Sequence, residues 1–209
     1  MSALAPAPSN AGVIRNVRWE TFEALLNDRG NDGPRIFYDE GTLEIMSPYR
    51  KHERFKKLLA RLIEAFTEEL AIEISSGGST TLKNRWKEKG AEPDESYHVQ
   101  HEAAMRGRDQ IDLSTDPPPD LVLEIDVTTS TVDKLKIYSS FGVPEVWSHE
   151  EGSGLTVWQL QQDGKYAPLK SSQVLPKFPV SEIGRFLDER ATLGENRLVK
   201  EFRAWVRGR

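Results

Sequence analysis

Apolar residues recur at helical spacing in three stretches of the chain. The longest runs from residue 55 to residue 70, where side chains three and four positions apart fall on one face of a helix. Similar patterns predict a short helix over 17–27 and an amphipathic helix from residue 195 onward. We expect the C-terminal stripe to cover the core rather than to pair with a second subunit. The three stripes comprise Trp19, Phe22, Leu25 and Leu26; Phe55, Leu58, Leu59, Leu62, Ile63, Phe66 and Leu70; and Leu198, Val199, Phe202, Trp205 and Val206.

Shorter segments between these helices favour strands. A tight turn at Glu40-Gly41 divides residues 35–47 into two strands, and Asp163-Gly164 marks a second hairpin. The polar segment 100–119 is assigned no element. Further strands are predicted at 80–86, 93–99, 144–149, 155–161 and 166–169.

The most informative segment runs from Asp120 to Tyr138. Apolar residues at 121, 123, 125 and 127 alternate with the other positions, which predicts a strand with one buried face. Glu124 and Asp126 then project together from the opposite face. Because neighbouring carboxylates repel each other and resist desolvation, something must offset that cost, and a divalent cation would do so.

A helix is predicted directly after this central strand. Ser130, with Asp133 three positions later, resembles a capping box, and Gly142 predicts the helix end. Lys134 therefore lies in the first turn of the helix. Strands that alternate with helices in this way predict an α/β fold.

Length and composition indicate one globular domain. The 209 residues are 37% apolar and 29% charged, and no apolar run is long enough to span a bilayer. We expect residues 1–14 to form a flexible N-terminal tail and residues 15–209 to form a single domain that includes the C-terminal helix. The start of the chain lacks the features of a secretion signal, and cysteine is absent, so we expect a cytoplasmic protein without a membrane partner.

The formal net charge of -5 argues against a dedicated nucleic-acid binder, which usually has a basic balance. Positive charge is instead local. One run includes Arg50, Lys51 and Arg54, and a second lies between residues 83 and 89. Either run could line a groove for nucleic acid or could be a solvated face. Arg50, Lys51 and Arg54 are retained as candidate nucleic-acid contacts.

Three acids and one lysine form the main candidate site. Asp94 begins a predicted strand, while Glu124 and Asp126 lie on the central strand. Carboxylates from neighbouring strands could bind Mg2+ or Mn2+, which favour oxygen ligands, and Lys134 could orient an attacking water. The spacing alone leaves two other interpretations open, namely solvated strand-end acids and a carboxylate-pair glycosidase.

Other constellations are weaker. His98 and His101 could join Asp94 in a zinc site, but no third imidazole or thiol stands nearby in the sequence. His52, near the start of the long helix, could contact a phosphate or water, but a single partly exposed histidine needs no function. We expect four tryptophans to pack rather than to stack on bases: Trp86, Trp147, Trp158 and Trp205.

Taken together, five blocks of the sequence resemble the PD-(D/E)XK nuclease superfamily, and more closely its restriction-endonuclease-like Uma-two family. The resemblance extends roughly from Trp19 to Tyr166. The blocks are Gly41-Thr-Leu-Glu-Ile-Met-Ser-Pro48 followed by His52, Glu92-Pro-Asp-Glu-Ser96, Pro119-Asp-Leu-Val-Leu-Glu-Ile-Asp126, Asp133-Lys134 with Tyr138, and Gly142-Val-Pro-Glu-Val-Trp147.

The resemblance implies a restriction-endonuclease-like mixed β-sheet flanked by helices. It assigns Asp94 and Glu124 as the catalytic acids and Lys134 as the catalytic lysine. Position 126 is Asp where the superfamily motif has Lys, so the lysine has moved to the following helix. Asp126 is then a second metal ligand, a partner of the lysine, or a member of a structural ion pair. Glu44 is an outer metal ligand, a partner of Lys134, or a surface carboxylate.

The function implied by the resemblance is metal-dependent hydrolysis of DNA phosphodiester bonds by an endonuclease that uses Mg2+ or Mn2+. The alternative is a catalytically silent nuclease-fold protein that binds nucleic acid or a protein partner. Cleavage of both strands would favour a homodimer, with the C-terminal stripe as one possible interface.

Overall fold

Strands and helices alternate along most of the chain. The computed structural model describes residues 11–29, 33–48, 50–125, 130, 132–150, 154–190 and 192–208. The strands are β1 (Ala11–Ile14), β2 (Arg35–Asp39), β3 (Thr42–Met46), β4 (Ser75–Ser76), β5 (Leu82–Asn84), β6 (Lys89–Ala91), β7 (Glu95–His98), β8 (Leu121–Ile125), β9 (Glu145–Glu150), β10 (Gly154–Leu160) and β11 (Tyr166–Leu169). The helices are α1 (Trp19–Arg29), α2 (Arg50–Glu69), α3 (Glu102–Met105), α4 (Lys134–Phe141), α5 (Val180–Glu189) and α6 (Glu195–Arg207), with a 3-10 turn at Arg85–Lys87.

The first sheet is antiparallel, with its strands in the order β1-β3-β2-β6-β5. At its centre, the β2–β3 hairpin pairs Asp39 with Thr42 across a two-residue turn. Glu40 and Gly41 have φ of 45° and 89°, in the left-handed region that such turns require. The hairpin predicted at Glu40-Gly41 is therefore confirmed. Helix α1 contributes Phe22, which stacks on Tyr38 at a centroid distance of 4.9 Å.

The second sheet is mixed, with its strands in the order β11-β10-β9-β8-β7-β4. Strands β8 and β9 are parallel, and α4 provides the crossover that a parallel pair requires. The other neighbouring strands pair antiparallel. The predicted mixed sheet flanked by helices is confirmed for this sheet, and the first sheet is an additional layer.

The second sheet separates two hydrophobic layers. Leu121, Leu123 and Ile125 pack in one layer with residues of α2, α5 and α6. Val122 packs in the other layer with Ile137 of α4. Because side chains alternate along a strand, Glu124 shares the Val122 face and points toward α4. The central strand therefore presents an acid to the helix that follows it.

The C-terminal stripe covers the core, as predicted. Leu198 and Phe202 of α6 are completely buried in the layer that also contains the α2 stripe. No described helix is both long enough and apolar enough to cross a membrane.

Several local features differ from the sequence predictions. Ala11–Ile14, part of the predicted tail, forms β1 and pairs with β3, while residues 1–10 lie outside the described part of the chain. Helices α3 and α5 and strands β4 and β6 occupy segments for which no element was predicted. Trp86 is 91% exposed, so the expectation that it packs in the interior is wrong.

The start of α4 also differs from the predicted capping box. Asp133, and not Ser130, caps the helix, because its side chain accepts a hydrogen bond of 3.0 Å from the Lys136 amide. Gly142 ends the helix with φ of 81°, as predicted.

Candidate active site

Strands β7 and β8 place the two central acids opposite each other. Their register pairs Glu95 with Leu123, and one step further along the ladder brings Asp94 to Glu124. The Asp94 amide donates to the Leu123 carbonyl at 3.1 Å, and the Ile125 amide donates to Asp94 Oδ2 at 2.6 Å. Asp94 is 0% exposed and Glu124 is 1% exposed. The two carboxylates therefore share a buried position on the central strands.

Helix α4 contributes two side chains to Glu124. Lys134 Nζ donates to Glu124 Oε2 at 2.7 Å, and one turn later the Tyr138 hydroxyl donates to Oε1 of the same carboxylate. Lys134 is itself buried, and its Nζ lies 4.1 Å from the centroid of the Phe37 ring. Helix α4, which connects two parallel strands, thus places the Lys134 ammonium and the Tyr138 hydroxyl against the Glu124 carboxylate.

Two cationic side chains from other elements contact Asp94. Arg35, at the start of β2, places its guanidinium 3.0 Å from Asp94 Oδ1 and also donates to the Pro93 carbonyl. His52, in the first turn of α2, places Nε2 3.1 Å from Asp94 Oδ2, although this ring nitrogen is not aligned for a hydrogen bond. Both side chains are largely buried. Asp94 is therefore balanced by charge from one strand and one helix that are distant from it in the sequence.

The pKa values of the two acids are shifted in opposite directions. Burial raises the pKa of Glu124 above its ordinary value, with a further contribution from the Asp94 charge, and the Lys134 charge offsets this only in part. Burial would also raise the pKa of Asp94, but His52 and Arg35 outweigh it, so that pKa lies below its ordinary value. The pKa of His52 is raised, because the adjacent Asp94 outweighs the lowering effect of burial. Asp94 is therefore the more strongly ionised acid.

Glu44 holds the segment that leads into α4. It is completely buried on β3, so the surface-carboxylate interpretation is wrong. Its Oε1 accepts from the Ser130 hydroxyl at 2.9 Å, and its Oε2 accepts from the Val132 amide at 3.1 Å. This carboxylate thereby links the first sheet to the connection that carries Lys134.

Asp126, the third predicted acid, lies outside the described residues. Within the ranges that the structure does describe, no three histidine, aspartate or glutamate side chains form a group that could hold a metal ion. The zinc arrangement considered for Asp94 is not observed: His98 Nε2 faces the Pro117 carbonyl at 3.3 Å, and His101 Nδ1 lies 2.6 Å from Asp120 Oδ1.

The two basic runs have different surroundings. Lys83 and Arg85 form ion pairs with Glu23 and Glu20 of α1, as expected for a solvated face. The first run instead lies in the opening turns of α2, which also carry His52, and Arg50, Lys51 and Arg54 line a common cleft.

Three residues beside the acids were not predicted as site residues from the sequence: Arg35, His52 and Tyr138. His52 and Tyr138 stand inside the blocks that carry the family resemblance, which was the available signal. Arg35 is the first residue of β2, and its local sequence does not indicate a site residue. Its contact with Asp94, just before β7, is evident only from the structure.

Comparison with known proteins gives the family of the chain. Residues 19–185 match the Uma2 family, described as "putative restriction endonuclease". Among solved structures, a "putative nuclease" belonging to DUF820 from Anabaena variabilis matches with a TM-score of 0.53 and 16% sequence identity, over 91% of this chain and 99% of that chain. This likeness shows a shared fold. A search of curated proteins found no match. Because the family match extends over most of the sequence, the chain belongs to the Uma2 family.

Proposed function

We propose that the protein is a metal-dependent endonuclease that hydrolyses DNA phosphodiester bonds, with Asp94, Glu124 and Lys134 as its catalytic residues. The observation that carries the proposal is the buried arrangement of these three side chains, two acids across one strand pair and an ammonium 2.7 Å from one of them. The description of the family and the nuclease-like fold support a nuclease function.

The donor set fits a hard divalent cation. Asp94 and Glu124 supply carboxylate oxygens, and the buried Asp94 Oδ1 lies 3.0 Å from the Arg35 guanidinium but accepts no hydrogen bond from the described residues. Asp94, Glu124 and Asp126 would hold Mg2+ or Mn2+, with water and phosphate oxygens as the remaining ligands. A bound cation lowers the pKa of water and neutralises charge that develops on a phosphate oxygen.

The protein side chains have separable tasks in this proposal. Tyr138 and Lys134 hold the two oxygens of Glu124 and fix its orientation. Arg35 and His52 keep Asp94 ionised in a buried position, where it would otherwise take up a proton. The Lys134 ammonium, packed against Phe37, is the cation available to orient water or to stabilise a phosphate oxygen.

A catalytically silent protein that binds nucleic acid or a protein partner is the second candidate. One observation favours it: protein cations already neutralise both acids, with Lys134 on Glu124 and with Arg35 and His52 on Asp94. A site balanced in this way is stable without a metal, and metal binding would have to compete with these contacts.

A plasmid-nicking assay separates the two candidates. With Mg2+, the wild-type protein is expected to convert supercoiled plasmid to the open circular form, and Glu124→Gln and Asp94→Asn are expected to slow nicking by about 100-fold or more. The matched control is Asp120→Asn, because Asp120 is a buried acid beside the opposite end of β8 that accepts from the Val99 amide at 2.7 Å. Equal nicking by wild type and Glu124→Gln would refute catalysis at this site, and binding without nicking would support the silent alternative.

A further inference from the structure

A cleft of about 390 Å³ lies beside the start of α2, and the described residues that line it are all cationic. Three of them belong to the opening turns of α2, and the fourth follows the last residue of α5. The lining residues are Arg50, Lys51, Arg54 and Arg190. Four like charges around one depression repel each other, so a bound anion would stabilise the arrangement.

The carboxylates near Arg54 and Arg190 compensate little of the charge of these two residues. Arg54 Nε is 3.7 Å from Glu195, and Arg190 is 3.8 Å from Asp188, whose side chain is 88% exposed. Contacts of this length between exposed groups are weak and screened by salt. In the described part of the chain, Arg50 forms no ion pair. The three arginines of the cleft are therefore weakly compensated, although the whole protein is acidic.

Arg190 is held in one orientation. Its guanidinium stacks over the Phe55 ring at 4.0 Å and donates to the Leu187 carbonyl at 2.6 Å. A planar guanidinium that is already oriented loses little entropy on binding and suits the geometry of a phosphate. Phe55 lies in the helical turn that follows His52. Helix α2 therefore carries both His52, which contacts Asp94, and Phe55, on which Arg190 stacks.

We infer that this cleft binds a backbone phosphate of the nucleic acid that the site at Asp94 cuts, with Arg190 as the oriented donor. The inference rests on the proposed function, because it assigns the phosphate to the substrate of the site at Asp94. The contact reads no base, so it contributes affinity that is independent of sequence.

The test measures binding of a fluorescent duplex DNA over a range of salt concentrations, in the Glu124→Gln background to prevent cutting. Arg190→Ala is expected to weaken binding roughly tenfold and to reduce the slope of log affinity against log salt by about 1. Arg190→Lys keeps the charge, so it is expected to retain most of the salt slope and to weaken binding less than Arg190→Ala does. The matched control is Arg185→Ala, since Arg185 also stacks on a phenylalanine of α5, at 4.4 Å from Phe186, but pairs with Glu182 and Glu189.

The outcomes distinguish this inference from the proposed function. If duplex binds and Arg190→Ala has the same affinity and salt slope as Arg185→Ala, the cleft assignment is overturned while the nuclease proposal stands. If the protein neither binds nor nicks DNA, both are overturned. Because Arg190 covers Phe55, the melting temperature of each variant is recorded, and Arg190→Lys should preserve both fold and slope. If Arg190→Lys reduces the salt slope of DNA binding as much as Arg190→Ala does, the reduction is due to lost packing on Phe55 and the phosphate contact is overturned.

Discussion

Lys134 and Glu124 form a buried ion pair in which Nζ and Oε2 lie 2.7 Å apart, although the two residues belong to a helix and a strand. Neither group can recover its hydration when the other is removed. Removing one partner of a buried ion pair leaves an uncompensated charge, whereas replacing both by apolar groups of similar volume can be neutral.

This pair gives the first prediction. Lys134→Met is expected to reduce the free energy of unfolding by about 3 kcal/mol, and the double variant Glu124→Leu with Lys134→Met should recover much of that loss. Urea unfolding of both single variants and the double variant measures the coupling. Additive effects of the two substitutions would contradict a direct buried pair.

Glu44 gives a prediction about the connection into α4. Glu44→Ala removes the acceptor for the Ser130 hydroxyl and the Val132 amide, so we expect a loss of about 1–3 kcal/mol in unfolding free energy and slower plasmid nicking. Ser130→Ala removes only one of the two donors and should have a smaller effect on both measurements. A nicking rate unchanged by Glu44→Ala in a folded protein would show that Lys134 does not depend on this anchor.

A third prediction concerns pH. Burial holds the pKa of His98 below its ordinary value of 6.5, so the folded state keeps this ring neutral when the unfolded state has already taken up a proton. Stability from this residue is therefore complete above pH 6.5 and is lost as the pH falls from there toward the lower pKa of the folded state. His98→Gln should flatten the dependence of unfolding free energy on pH between about 7.5 and 5. Parallel pH profiles for the two proteins would exclude this contribution.

The fourth prediction tests metal binding without an activity readout. At a hundredfold excess over its Kd, Mg2+ or Mn2+ should stabilise the wild-type protein by about 2.7 kcal/mol, seen as a raised melting temperature that a chelator reverses. Asp94→Asn and Glu124→Gln should abolish the metal-induced shift, whereas Asp120→Asn should retain it. A shift of the same size in Asp94→Asn would place the metal elsewhere.

Local patterns in the sequence were sufficient for the elements that carry long apolar stripes. The α2 and α6 stripes and the Glu40-Gly41 turn are encoded by neighbouring residues, because helix periodicity and turn dihedrals are local properties. Helix α5 has the same kind of stripe, with Val180, Ile183, Phe186 and Leu187, but its short length and the glycine at 184 made it inconspicuous.

The arrangement around the acids depends on contacts between distant segments. Nothing near Arg35 in the sequence indicates that it meets Asp94, because β2 and β7 belong to different sheets. The burial of Glu44 likewise follows from the packing of the first sheet against the connection into α4, and not from its own strand pattern. Sequence spacing could therefore nominate Asp94, Glu124 and Lys134, but not the side chains that balance their charges.

The position of Lys134 on α4, rather than on the strand itself, has a consequence for recognising remote relatives. Lys134 lies ten positions after Glu124 and on a different element, yet its ammonium is 2.7 Å from a Glu124 carboxylate oxygen, so the distance between these atoms is not evident from the sequence spacing. Sequence alignments compare residues by their position in the chain, so they do not register such a contact between side-chain ends. Templates built from the tips of side chains, such as Nζ of Lys134 over the Phe37 ring, should detect homologues that linear motifs miss.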